Sequence, residues 1–187
     1  MRAIWSMKDA SLLGLSMVVL GFWWLCVAGI GWAAGVSSYQ VAQKTDHLHR
    51  AKIYLAAGDY RRAIEACEQY VDEAPSAEAY VYLTYVYHAT QGYLDWLAAR
   101  DEWAKIGQLS LSFVYQGARD LVDPPDVLAR MAKELLYEGL RQQFDLAAAM
   151  ANRLDRPTVD RLWQQQTAWK QKHPETWWAS VPEEWGW

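Results

Sequence analysis

The sequence predicts an all-α protein, with one membrane-spanning helix at the N-terminus followed by a stack of helical hairpins. Three observations predict it. An uncharged, mostly apolar run fills residues 11–34. After it, apolar residues recur at helical spacing, without the alternation of a β-strand. Between the periodic segments stand Gly58-Asp59, Pro75-Ser76, Asp123-Pro124-Pro125 and Asp155-Arg156-Pro157, the residue types that stop and start helices.

The apolar run comes first. As a helix, Ser11 to Ala34 would extend roughly 36 Å, more than the roughly 30 Å hydrocarbon core of a bilayer. Trp5 and Trp32 stand where interfacial aromatics belong. Gly31-Trp32-Ala33 before Ala34 offers a weak cleavage site, so a cleaved signal peptide is the rival reading. The run is much longer than an h-region of about 7–15 residues, which favours a retained anchor. Trp23 and Trp24 lie near mid-span, and Gly31-x-x-x-Gly35 has the spacing that lets membrane helices approach closely. Those four residues are candidate contacts to lipid or to another membrane helix. Arg2 and Lys8 precede the run, while Lys44, Arg50 and Lys52 follow at a distance. The near flank favours a cytoplasmic N-terminus and a translocated C-terminal domain.

Composition narrows the function. Net charge is −4 and no basic patch exists, so nucleic-acid binding is not expected. Cys26 and Cys67, one in the apolar run and one in a helical pattern, make no disulfide framework. Twelve Trp and eleven Tyr stand against three Phe, a bias toward rings with polar tips that suit membrane interfaces and protein contacts.

After a connector at 35–44, residues 46–57 read as a helix with Thr45 or Asp46 as N-cap. Gly58-Asp59 breaks it, and a second helix runs from Tyr60 to Ala74, with Ala63, Ile64, Cys67, Tyr70 and Val71 on one face. A third begins near Tyr80 and turns at Gly92. Further helices are expected at Leu109–Asp120, Asp126–Gly139 (with Val127, Leu128, Met131, Leu135 and Leu136 apolar) and Phe144–Leu154. Thr158 caps a last helix that Pro174 closes. Residues 173–187 form a tail with four Trp, three Glu and no Lys or Arg.

The first hairpin resembles the tetratricopeptide repeat. Ala51, Tyr54, Gly58-Asp59-Tyr60, Ala63, Cys67 and Pro75 fall at the relative spacing of that motif, with Cys67 in an aromatic position. Tyr80-x₂-Leu83-Thr84-x₂-Tyr87 opens a second unit, 33 residues after Tyr54 and close to the family period. Ala99-x₃-Trp103 supplies the second-helix pair three residues late. A third, degenerate unit is read around Glu134 and Ala148. The resemblance therefore implies a tetratricopeptide-like domain over 45–172.

That resemblance also implies a site. Partners of this family lie on the concave face made by the first helix of each repeat, where Leu48, Lys52, Leu55, Val81, Tyr85 and His88 fall. Some members hold a C-terminal carboxylate there with several polar side chains. Here Leu48 and Val81 are apolar and Lys52 is the one cation of the set, so the groove suits an apolar helix or an extended peptide. Tyr80, Tyr82, Tyr85 and Tyr87 alternate, which sends at least two outward. Trp177, Trp178, Trp185 and Trp187 of the tail either cap the last helices or dock into a partner; docking is the reading adopted here. No catalytic motif, metal motif or cofactor loop is visible, and His47 and His49 point too far apart to share a metal. The expected function is a membrane-anchored scaffold without cofactor, an accessory subunit or assembly factor of a larger complex in a bacterial inner or thylakoid membrane. The alternative is an integral structural subunit of a photosynthetic or respiratory complex that touches cofactors or antenna through its tryptophans.

Overall fold

The computed structural model describes residues 46–113 and 126–187. The expected span at 11–34, its Trp23, Trp24, Gly31 and Gly35, the connector, Thr45 and the Asp123-Pro124-Pro125 stop lie outside the described residues. Among the described residues every regular element is a helix, and none is long and apolar enough to cross a membrane. In chain order they are α1 (46–56), α2 (Tyr60–Glu73), α3 (Ala77–Ala98), α4 (Trp103–Ser112), α5 (Asp126–Leu154) and α6 (Arg156–Lys172). Two single 3₁₀ turns follow, Trp177–Ala179 and Glu183–Trp185.

The first hairpin forms for the reasons its sequence suggests. Gly58 takes φ +72°, the left-handed conformation that ends α1. Its N–H reaches Leu55 O at 3.0 Å and that of Asp59 reaches Tyr54 O at 2.9 Å, the paired bonds of a helix-terminating Schellman turn. Asp59 then caps α2 by accepting from the Arg62 N–H. Tyr60, Ala63, Ile64, Cys67, Tyr70 and Val71 are all buried, so the face read from the spacing is the packed face. Burial pushes the Cys67 thiol well above its ordinary range, which leaves it an inert core residue.

The second hairpin departs from expectation. α3 does not turn at Gly92 but runs on to Ala98, 22 residues under a Ser76 cap. It is apolar on nearly all sides because it is the central helix, packed against α2, α4, α5, α6 and the tail. The turn falls at residues 99–102, where Asp101 takes φ 55°. Ala99 ends α3 and Trp103 starts α4, so they are not a second-helix pair. The tyrosines of α3 do not point outward either. Tyr82, Tyr85 and Tyr87 are buried and Tyr80 partly so. Tyr87 reaches Glu68 at 3.1 Å, and Tyr82 hydrogen-bonds Glu78. Of the two histidines of α1, His47 is buried with Nε2 3.0 Å from Glu73, while His49 is exposed.

The C-terminal half also has fewer breaks than expected. α5 is one helix of 29 residues in place of two, so Glu134 and Ala148 share it and form no hairpin of their own. The stretch between them, Gln142-Gln143 included, carries no proline, and Gly139 is tolerated inside the helix at a modest cost. Its packed face is Leu140 with Ala129, Ala147 and Ala151, three small residues that bring α5 close to α3. Of its apolar residues, Val127, Leu128, Met131 and Leu135 are exposed and Leu136 is partly buried. At α6 the cap is Asp155, whose carboxylate accepts from the Thr158 N–H and hydroxyl. Thr158 lies inside the first turn, and Pro157 occupies a position where its missing N–H costs nothing.

Candidate functional site

The six residues expected to form a concave face come from α1 and α3. Leu48, Leu55, Val81 and Tyr85 are buried, His88 is half-buried and Lys52 is exposed. What closes over this face is the chain's own tail. His173 ends α6 with its N–H on Trp169 O at 2.9 Å, and Pro174 turns the chain back across α3. The tail then descends to α1 through two 3₁₀ turns, and Gly186 at φ +67° makes the last bend.

Tyr85 is the principal anchor. Its hydroxyl is 2.7 Å from both Trp177 O and Ser180 O, and its single proton is shared between these two main-chain carbonyls. Burial pushes its pKa well above the usual phenol range, so it remains a donor. Tyr60 donates to Trp178 O at 3.4 Å. At the far end Lys52 Nζ reaches the main-chain oxygen of Trp187 at 3.2 Å. These contacts hold the peptide backbone and are indifferent to side-chain identity, while the indoles supply the fit.

Each indole meets rings of the domain. Trp185 lies 4.7 Å from Tyr82 and 5.0 Å from Tyr85, and its Nε1–H donates to Gln165 Oε1 at 3.1 Å. Trp187 stands edge-on to Tyr82 at 5.1 Å. Trp178 packs on Trp96 at 5.9 Å. Trp177 meets Tyr85 at 5.9 Å and His88 at 5.1 Å, with Lys170 Nζ 4.4 Å from its ring centre. Such contacts add about 0.5–1.5 kcal/mol each to the area they bury.

Trp177 also explains the misplaced turn. A Cβ on Gly92 would lie 2.5 Å from Trp177 Cζ2 and 3.0 Å from Cη2. Gly92 is a glycine inside a helix because an indole lies on it, and not because the chain turns there. Beside it, Lys170 Nζ sits 2.8 Å from His88 Nδ1. Burial, and then Lys170, hold the His88 pKa down at about 4, and burial lowers Lys170 to about 8. Near neutrality a neutral imidazole therefore accepts from a charged ammonium.

No family model, curated protein or solved structure matches this chain.

The reading of the tail needs correction on this geometry. Trp177, Trp178, Trp185 and Trp187 are each less than a tenth exposed and packed on the domain. The physical reason is that α3 presents Tyr82, Tyr85, His88 and Trp96 on the face where the tail lies, and the tail supplies matching rings. Lys52, Tyr85 and His88 all contact the tail, an irregular segment of the chain itself. Sequence reasoning missed Tyr82, Gly92, Trp96 and Lys170. Gly92 carried the available signal, a glycine within an otherwise unbroken helical pattern.

Proposed function

We propose that this chain is a membrane-anchored scaffold of tetratricopeptide type, an accessory subunit or assembly factor of a larger membrane protein complex. The observation that carries the reading is the seated tail. The face formed by α1, the start of α2 and α3 holds an irregular peptide through donors to its main chain (Lys52, Tyr60 and Tyr85) and through aromatic pockets for its side chains. This is how a peptide-recognition groove works: main-chain bonds give affinity and pockets give specificity. In the scaffold a partner segment rich in Trp or Tyr takes the place of residues 173–187. The apolar run at 11–34 supports the anchor, and the net charge of −4 fits a protein partner better than nucleic acid.

The test is co-purification of the tagged full chain from native membranes, beside a Tyr85→Phe, Lys52→Ala double variant. A stoichiometric partner that the variant loses identifies an accessory subunit, and a substoichiometric one an assembly factor. A chain that brings down no partner, or one the variant retains in full, overturns the scaffold reading for this groove.

A further inference from the structure

A second surface lies away from the tail, along α5. On a helical wheel Leu128, Met131, Leu135, Leu146 and Met150 fall within about 100° of arc, given 100° per residue. They are 40–75% exposed, and the stripe they form runs most of the helix, roughly 33 Å at 1.5 Å per residue. Leucines and methionines of a long helix are ordinarily its buried side. Here burial is left to Ala129, Leu140, Ala147 and Ala151 on the adjoining arc. Beside the N-terminal half of the stripe runs a groove of about 690 Å³ between α5, α2 and α4, walled by Ile64, Tyr87, Phe113 and Leu136 and floored by Gly139 and Leu140. A Cβ on Gly139 would meet nothing within 4 Å, so the helix is at its thinnest beside this opening.

The charges around the stripe decide what fits it. On its solvent flank stand Glu134, Glu138 and Asp145, with Arg141 already paired to Glu138 at 3.0 Å. On the groove side stands Glu68, accepting from Tyr87. Lys133 is turned to Asp95 at 3.3 Å and Arg130 lies on the Trp103 ring, both away from the stripe. An anionic bilayer surface is repelled by these carboxylates. A second copy packed antiparallel on α5 brings Glu134, Glu138 and Asp145 against their own equivalents, which is unfavourable. Arg153 stands only at the C-terminal end of the stripe; over the N-terminal half, where the groove opens, an apolar ridge with acid on both sides complements one class of ligand.

We propose that α5 is the docking surface for an amphipathic helix of a partner protein. Its apolar face carries leucine-type anchors at i, i+3, i+4 and i+7, bordered on both sides by Lys or Arg. The large anchors enter the groove beside Gly139, and the bordering cations meet Glu68 on one side and Glu134 and Glu138 on the other. This surface is separate from the tail-filled face, so the chain bridges two partners.

The test uses the full chain in phosphatidylcholine nanodiscs and two model peptides of 18 residues, one with a Leu face bordered by Lys and one with the same face bordered by Glu. Binding is read by fluorescence anisotropy against empty nanodiscs. The Lys-bordered peptide is expected to bind one to one, and the Glu-bordered peptide at least about tenfold more weakly. Leu135→Gln with Met131→Gln, both solvent-facing and so compatible with folding, is expected to abolish binding. Glu134→Gln with Glu138→Gln is expected to weaken it about tenfold and flatten its salt dependence. Equal binding of both peptides, no binding of either, or indifference to both variant pairs overturns the proposal. So does sedimentation of the unliganded chain as a dimer that Leu135→Gln dissociates.

Discussion

Replacing Gly92 by alanine sets two known effects against each other. Inside a helix alanine is favoured over glycine by about 1 kcal/mol, so on an isolated α3 the change would stabilise. In the folded chain the new methyl would stand 2.5 Å from Trp177 Cζ2, where carbon atoms normally rest about 3.5–4.0 Å apart. The indole has little room to retreat, since Tyr85, His88 and Lys170 box it in. Overpacking of this kind costs about 1–3 kcal/mol, so the overpacking wins and Gly92→Ala is expected to destabilise by up to about 2 kcal/mol. The decisive comparison is the same change in a Trp177→Leu background. Leucine is too short to reach the space above Gly92, so there Gly92→Ala should stabilise by about 1 kcal/mol. Urea unfolding of the full chain, followed by circular dichroism, yields all four stabilities and a coupling of about 1–3 kcal/mol. A stabilising Gly92→Ala in the wild-type chain would refute the placement of the tail over α3.

Three further outcomes follow from the same geometry. Trp185→Ala removes an indole packed on Tyr82 and Tyr85, and should cost about 3–5 kcal/mol in a chemical melt. The tail is thus a structural part of the domain, and its removal should lower the melting temperature. Ala63 is fully buried on α2, and Ala63→Trp should lower stability by at least about 1–3 kcal/mol, read as a lower urea midpoint. His88 is protonated near pH 4 in the folded chain but near its ordinary 6.5 when unfolded. The stability its neutral form contributes is complete above about 6.5 and is lost as the pH falls toward 4. His88→Gln should flatten stability over that window, compared with wild type.

Much of the first hairpin was legible because its signals are local. Gly58 and Asp59 set a turn and a cap that involve only neighbouring residues, and Ala63, Ile64, Cys67, Tyr70 and Val71 mark a face by spacing alone. Where expectation went wrong, a distant segment had decided the matter. Gly92 reads as a turn until Trp177, 85 residues further along the chain, is laid upon it. The tyrosines of α3 read as alternating faces, but a helix packed on all sides has no outward face, and that depends on α5, α6 and the tail together. In α5 the apolar spacing does not say which residues pack: Ala129, Leu140, Ala147 and Ala151 do, and Leu128, Leu135 and Leu146 stay outside, a choice set by the approach to α3. For the candidate site, the resemblance to the tetratricopeptide repeat implied the residues of α1 and α3, whereas nothing in it pointed to the tail as what lies on them. Four tryptophans without helical periodicity cannot say which surface they match.

The most direct test of the account is to supply the tail as a separate peptide. The chain truncated after Lys172 is titrated by calorimetry with a peptide of residues 173–187, and its melting temperature is followed in parallel. A groove that recognises an irregular, tryptophan-bearing peptide binds this one saturably, one to one, with a rise in melting temperature, and Tyr85→Phe weakens that binding by leaving two carbonyls without their donor. A truncated chain that melts like the intact one and takes up no peptide contradicts the account.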